Sequence, residues 1–431
     1  MSAPQDARIP GFYKLELAAR HAVLRDRFGL TDEELAILGT GAGLTWDRAD
    51  KMVENCIGVF GLPIGLGLNF RVNGVDRLIP MVVEEPSIVA AVSNMARVVR
   101  DAGGFTGDAD APIMIGQVQI VDVPDMEAAV AALESPANRA ALLERANDIH
   151  PNMRARGAGA RDLEVRRFDA PWPMLVLHLF IDCADAMGAN AINAMAEGVA
   201  PLVESLTGGR VCLRILSNLA DRRCARARCR VPFDLLAGNG FDGETVARGI
   251  ETAWKFADVC SYRAATHNKG VMNGIDAVAI ATGNDWRSLE AGAHAYAARD
   301  GRYRSLTRWQ CEDTFLCGEI ELPMAVGTVG GSTQVHPTLQ VLRKLLDPES
   351  AADLGIVMAA VGLAQNMGAL RALATEGIQR GHMELHARSV ALAAGASGEM
   401  VDRIADDLVR RGEIKLHTAQ AILQALREAD R

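Results

Sequence analysis

Hydrophobic and polar positions alternate along Met114-Ile115-Gly116-Gln117-Val118-Gln119-Ile120-Val121, the pattern of a half-buried strand. An Ala-rich helical stretch follows over 126–149, broken near Pro136, which cannot sit in a helix interior. Leu163-Glu164-Val165 and Pro173–Ile181 read as strands, Asn190–Leu206 as helix, and Arg210–Leu216 alternates again. This strand–helix–strand–strand–helix–strand order predicts a compact α+β module over 111–217. The segments on either side have a different texture, so the module reads as an insertion.

Before it, residues 12–100 read as helix and apolar strand. Thr31 and Glu34 have the spacing of a capping box, with Thr31 as N-cap. Ile57–Phe70 is uncharged, carries four glycines and Pro63, and is too rich in glycine for a helix interior; it reads as buried strand and turn. After 218 the chain reads as largely helical, with a short strand at Ala277–Thr282 and a charged helical tail from 377. The predicted divisions are 1–110 and 218–376 for one discontinuous domain, 111–217 for the insertion and 377–431 for a C-terminal lobe. The length of 431 residues suits two to three domains at about 150 residues each.

Charge narrows the function classes. Lys and Arg number 45 against 54 Asp and Glu, a net charge of -9, which lacks the basic excess of a nucleic-acid binder. The longest near-apolar uncharged stretch, Leu354–Leu370, falls short of the roughly 20 residues of a membrane span, and Met1–Pro10 has no apolar signal core. The eight cysteines form no CxxC pair, which argues against a zinc ribbon and fits reduced thiols in the cytoplasm.

Several motifs are missing: no P-loop, no GxSxG elbow, and no GxGxxG between a strand and a helix. Gly39-Thr40-Gly41-Ala42-Gly43 reads as a turn between helices. His382 and His386 share a helix face at i, i+4, but Glu384 lies about 200° round from His382, so no metal site is expected.

Four segments place polar groups inside apolar surroundings. Glu84 and Glu85 stand between an apolar strand and an apolar helix, with Pro86 suited to the first helical turn. Asp185-Ala186-Met187-Gly188-Ala189-Asn190 reads as a capping Asp, a small-residue turn and a helix start, where free N–H groups can hold phosphate. Tyr262–Asp276, running on to Gly283-Asn284-Asp285-Trp286-Arg287, is dense in side chains able to do chemistry. Pro323–Thr333 is a Gly-rich loop.

Together these segments resemble the 3-hydroxy-3-methylglutaryl-CoA (HMG-CoA) reductase family, specifically its soluble bacterial class II. The resemblance spans essentially the whole chain. It is carried by Glu54-Asn55-Cys56-Ile57-Gly58, Glu84–Ser87, Asp185–Asn190, Thr266-His267-Asn268-Lys269-Gly270, Gly283–Arg287, Gly327–Gly331 and Gly381-His382-Met383 in family order. It implies an α+β fold: a large, mainly helical, discontinuous domain for substrate and dimerisation, an inserted small non-Rossmann nucleotide-binding domain, and a C-terminal helical flap. It also implies a homodimer with shared active sites, and a reaction that interconverts HMG-CoA with mevalonate plus CoA by two hydride transfers. NADH or NADPH would serve as cofactor, with no metal, nucleic acid or membrane.

The resemblance further implies roles. Lys269 would be a buried ammonium stabilising the oxyanion, Asp285 would keep it protonated, Glu85 would donate a proton, and His382 would protonate the departing CoA thiolate. His386 reads as structural. Arg263, Ser87 and Asn273 would hold the acyl group, and Gln365 would touch CoA. Asp185, Met187, Gly188, Ala189, Asn190 and Asn218 would line the dinucleotide site, and Asp148 would meet the ribose and favour NADH. Two other readings stay open on the residues alone: a related oxidoreductase for another acyl-CoA thioester, and a non-catalytic or metal-binding helical protein.

Overall fold

The computed structural model describes residues 6–39, 43–331, 335–375 and 377–429, leaving aside the side chains of 378–385. Ten strands are named in chain order. β1 (Ile64–Val72) and β2 (Val75–Val82) form an antiparallel hairpin closed by Asn73 and Gly74, both at positive φ, the requirement of the two-residue turn that matches strand twist. β3 (Thr106–Ala109), β8 (Cys224–Pro232), β9 (Thr307–Glu312) and β10 (Phe315–Pro323) form a four-stranded antiparallel sheet in the order β3-β8-β10-β9. β4 (Ile113–Val121), β5 (Gly159–Phe168), β6 (Met174–Asp182) and β7 (Arg210–Ser217) form another in the order β5-β6-β4-β7. The fold is α+β.

The β4–β7 sheet carries helices Met126–Glu134, Pro136–Ile149 and Ala189–Thr207 on one face, and the apolar residues between them form a core of their own. Ser135 caps the helix that Pro136 opens, so the break falls where proline forces it. The largest core lies around two long helices, Ser261–Thr282 and Ala351–Ala374, backed by the β3-β8-β10-β9 sheet. Helices Ile378–Ala393, Glu399–Arg411 and Leu416–Ala429 pack on a separate small core. The Thr31–Glu34 capping box is present, with Glu34 N–H to Thr31 Oγ1 at 3.2 Å and Thr31 N–H to Glu34 Oε2 at 2.8 Å.

Five expectations need correction. Ala277–Thr282 is the last part of the Ser261–Thr282 helix, ended by Gly283 in the left-handed region; a short apolar run has no period that separates strand from buried helix. The stretch after 218 contains β8, β9 and β10; in β8 the alternation is written mostly in Ala, Cys and Arg, outside the β-branched and aromatic residues that mark strands. Residues 57–63 are neither strand nor buried: Ile57 and Phe60 are 99% and 88% exposed, and strand begins only at Ile64. The helix after Glu85 starts at Ile88 with Ser87 as N-cap, so Pro86 precedes it rather than lying in its first turn. Helix Ala351–Ala374 extends beyond the Leu354–Leu370 stretch, and is long and apolar enough by composition to cross a membrane, yet 67% of its most apolar window is buried within the protein. The Gly39–Gly43 turn falls partly outside the described residues.

Gly318 in β10 lies under the fully buried Trp309 ring, so a Cβ there would stand 2.2 Å from the ring. Gly318→Ala is expected to destabilise the protein by about 1–3 kcal/mol, read as a lower urea midpoint. An unchanged midpoint would contradict this packing.

Candidate active site

The Ser261–Thr282 helix has two faces with different tasks. His267 and Asn268 are buried at 1% and 0% exposure. Asn268 donates to the Arg304 carbonyl at 2.7 Å and accepts from Leu306 N–H at 2.9 Å. His267 Nε2 lies 2.7 Å from Thr307 Oγ1 and 2.8 Å from Ser305 Oγ. Burial, and then the Arg263 charge, push the His267 pKa down to about 3, so it stays neutral. These bonds fix the rotation of the helix, and so decide where Lys269, Asn273 and Asp276 point. At i, i+4 and i+7 those three share the other face.

Lys269 Nζ donates to Glu85 Oε2 at 2.6 Å, and Asn273 Nδ2 reaches the same oxygen at 3.4 Å. Glu85, Asn273, Asp276 and Asp285 line one cleft of about 910 Å³. Glu84 lies in the same cleft wall and is exposed. Lys269 was expected to be buried beside Asp285. Instead its side chain is 60% exposed, and Glu85 makes the contact expected of Asp285. Asp285 caps helix Trp286–Ala297 through Ser288 N–H at 3.2 Å, which turns its carboxylate toward its own helix. An ion pair this exposed contributes about 0–1 kcal/mol to stability.

Two groups nearby are uncompensated. The Ser87 hydroxyl is buried without a partner among the described residues, on a residue held at φ 76°. Arg263 is half-buried with no hydrogen bond or ion pair among the described residues, and burial lowers its pKa. An orphan hydroxyl and an unpaired guanidinium are what a carboxylate-bearing ligand would satisfy. Gln365 is buried against Gly274 between the two long helices and is not part of the cleft wall. Its Oε1 is unpartnered among the described residues.

The Asp185–Asn190 segment differs from the reading of Asp185 as cap of the following helix. Gly188, at φ 94°, is the N-cap of helix Ala189–Thr207 and brings no side chain to its first amides. Asp185 Oδ1 instead accepts from Ala351 N–H at 2.8 Å, at the start of the other long helix. A Cβ at Gly188 would stand 2.3 Å from Cys183 Sγ, so the turn admits only glycine, and uncapped amides there suit a phosphate group. Met187 packs against the module core, Ala189 opens the helix and Asn190 is exposed on its first turn. Asn218 accepts from Ser288 Oγ at 3.1 Å, which joins it to the Asp285 helix. Asp148 is exposed on helix Pro136–Ile149, 3.7 Å from Arg154 Nη1. His382 lies on helix Ile378–Ala393 with its side chain outside the described residues, and His386 is exposed, so it fills no core position.

Sequence reasoning includes Asp276 in the Tyr262–Asp276 segment but gives it no role. Burial, then the facing Glu290 carboxylate, push its pKa up to about 8, and Glu290 is bonded in turn to His294 at 2.5 Å. Nothing at position 276 in an apolar helical run announces a carboxyl partner on another helix. Arg223 was missed; its partners are 37 and 103 residues away in sequence.

Fold and site define an α+β enzyme with a lysine–glutamate pair at one cleft and, apart from the residues lining that cleft, an uncapped helix start at Gly188. The hydroxymethylglutaryl-coenzyme A reductase family matches residues 16–387. The 3-hydroxy-3-methylglutaryl-coenzyme A reductase of Archaeoglobus fulgidus is 50% identical over 424 residues, 98% of this chain and 95% of its own. The enzyme of that name from Streptococcus pneumoniae superposes with a TM-score of 0.83 at 41% identity, covering 97% of this chain and 99% of the other. A structure of the class II Streptococcus pneumoniae enzyme, bound to NADPH in open conformations, gives 0.81 at 41% identity over 96% and 100%. The chain belongs to the hydroxymethylglutaryl-coenzyme A reductase family, and its likeness runs to the class II enzymes.

The two shifted groups act on stability in opposite directions. His267, depressed from 6.5 to about 3, costs stability as pH falls through that window. Asp276, raised from 3.8 to about 8, holds a proton that the unfolded chain has lost, so it costs stability as pH rises through that window. Between the ordinary His value and about 8 only Asp276 of this pair acts. Asp276→Asn should therefore lose less stability than the parent between pH 6.5 and pH 8, measured by urea midpoints. Parallel losses would contradict the protonated state.

Proposed function

We propose that this protein is an HMG-CoA reductase: it interconverts HMG-CoA with mevalonate and CoA, reducing a thioester to a primary alcohol in two steps. The reading rests on the Lys269–Glu85 contact of 2.6 Å in the cleft. A bound reduced nicotinamide supplies the hydrides. The chain's own groups do the rest. Lys269 holds the developing oxyanion at each reduction, and the Asp285 charge favours its protonated form. Glu85, already bonded to the ammonium, passes a proton to the alkoxide. His382 protonates the CoA thiolate. Arg263 pairs with the free carboxylate of the acyl group, while Ser87 and Asn273 hydrogen-bond its other oxygens.

In this reading 111–217 is the nucleotide-binding domain, 1–110 with 218–376 the substrate domain, and 377–431 the flap. Asp185–Asn190 with Asn218 hold the dinucleotide. Asp148 meets the ribose and disfavours a 2′-phosphate, so NADH is preferred over NADPH. The working unit is a cytoplasmic homodimer with shared sites. That assembly is supported by the exposed Ile57 and Phe60, which invite an apolar cover, and by the exposed Lys269, which calls for closure from another element. The eight free cysteines suit a reducing compartment.

The deciding experiment follows absorbance of NADH, and separately NADPH, with HMG-CoA. Turnover with NADH well above NADPH is expected, and none with either would overturn the assignment. Lys269→Ala should lower kcat by at least about a hundredfold, the scale of losing one oxyanion donor. His382→Gln should impair thioester reduction far more than reduction of free mevaldehyde, because only the thioester releases a thiolate. Equal losses would exclude that role.

A further inference from the structure

The Gly-rich segment after β10 and the Asp185–Asn190 turn are locked together, and Arg223 is at the lock. Thr328 N–H donates to the Asp185 carbonyl at 2.8 Å, and Ala186 forms a bridge to Val329. A Cβ on Gly327 would stand 2.6 Å from the Met187 amide, so the two backbones touch. Arg223 Nη1 donates to the Ala186 carbonyl at 3.0 Å, and its Nη2 to the Val326 carbonyl at 2.6 Å. The Val326–Gly327 peptide is held from its other side too, since Gly327 N–H donates to Asn284 Oδ1 at 2.8 Å. Asn284 directly precedes Asp285 in the cleft.

Arg223 is 5% exposed and no carboxylate among the described residues bonds it; Asp182 and Asp185 act on it through space. Burying an unpaired guanidinium opposes folding. A rigid fork that reaches two carbonyls on separate segments does what no neutral side chain of that length can do.

We propose that Arg223 is a positioning residue for hydride transfer: it fixes the Asp185–Asn190 turn against the Val326–Gly327 peptide, and so sets the dinucleotide relative to the Asn284–Asp285 side of the cleft. This rests on the reading of that turn as the dinucleotide site. Arg223 touches neither substrate nor reacting atoms in this role; it acts through Ala186 and Val326.

The test compares Arg223→Lys, Arg223→Met and Gly327→Ala with the parent, and adds Asn190→Ala as a probe of the turn itself. The full-length enzyme is assayed for KM of NADH, KM of HMG-CoA, and the primary deuterium isotope effect with 4-deuterated NADH. Arg223→Met and Gly327→Ala should each raise the NADH KM about tenfold or more, leave the HMG-CoA KM within about twofold, and enlarge the isotope effect. Arg223→Lys, reaching one carbonyl, should fall between them and the parent. Gly327→Ala opens the lock from its other side, so the proposal stays testable if Arg223→Met does not fold. Loss of thermal stability with both KM values and the isotope effect unchanged would reduce Arg223 to a structural residue and overturn the proposal. If Asn190→Ala raises the NADH KM while the Arg223 and Gly327 variants do not, the proposal falls and the site reading stands. If Asn190→Ala has no effect, the site reading falls and takes the proposal with it.

Discussion

Where the Ser261–Thr282 helix crosses the Ala351–Ala374 helix, glycines stand in place of side chains. A Cβ at Gly362 would lie 2.8 Å from Ile275 Cδ1, and one at Gly274 would lie 3.0 Å from Gln365 Cβ. Such an approach leaves the buried faces no freedom to rotate, because protein interiors are packed at crystal-like density. With one face committed to that contact and to the His267 and Asn268 bonds, the other face of Ser261–Thr282 has to present Lys269, Asn273 and Asp276 to the cleft. The placement of the reactive groups follows from a packing constraint on their opposite side.

The polar groups of the molecule sort by cost. The Lys269–Glu85 pair is open to solvent, and little stability rides on it. Groups withdrawn from water cost more, among them the Ser87 hydroxyl, the Arg263 and Arg223 guanidiniums and the Asp276 carboxyl. Asp276 lines the cleft, Ser87 stands two residues beyond Glu85 of its wall, and Arg223 ties Ala186 to Val326. None is needed to fill the apolar cores, which close without them.

A single chain also leaves apolar surface uncovered. Ile57 and Phe60 project from a segment without regular structure, next to the hairpin that leads into Glu84 and Glu85. The same segment forms part of the cleft wall through Val59 and Phe60.

Much of this was written locally. The β4–β7 module, the capping box at Thr31, the break at Pro136 and the helical tail are settled by period, caps and proline, which act within a few residues. Four segments, too, are visible as polar groups set among apolar ones, and the resemblance carried by seven motif segments singles out Lys269, Glu85 and Asn273. Local pattern could not tell that Ala277–Thr282 continues a helix, since burial on all sides erases the period. Nor could it tell that β8 is a strand, because Ala, Cys and Arg lie outside the β-branched and aromatic residues that mark strands, or that Ile57 and Phe60 are bare. Partner choice lay further out of reach: Asp285 capping its own helix, Asp185 holding another, Arg223 bridging carbonyls 37 and 103 residues away. Sequence determined which elements form and which chemistry is available. Only tertiary packing decided which groups meet, because a hydrogen bond needs its partners within about 3 Å, and that distance is set by the crossing of elements rather than by spacing along the chain.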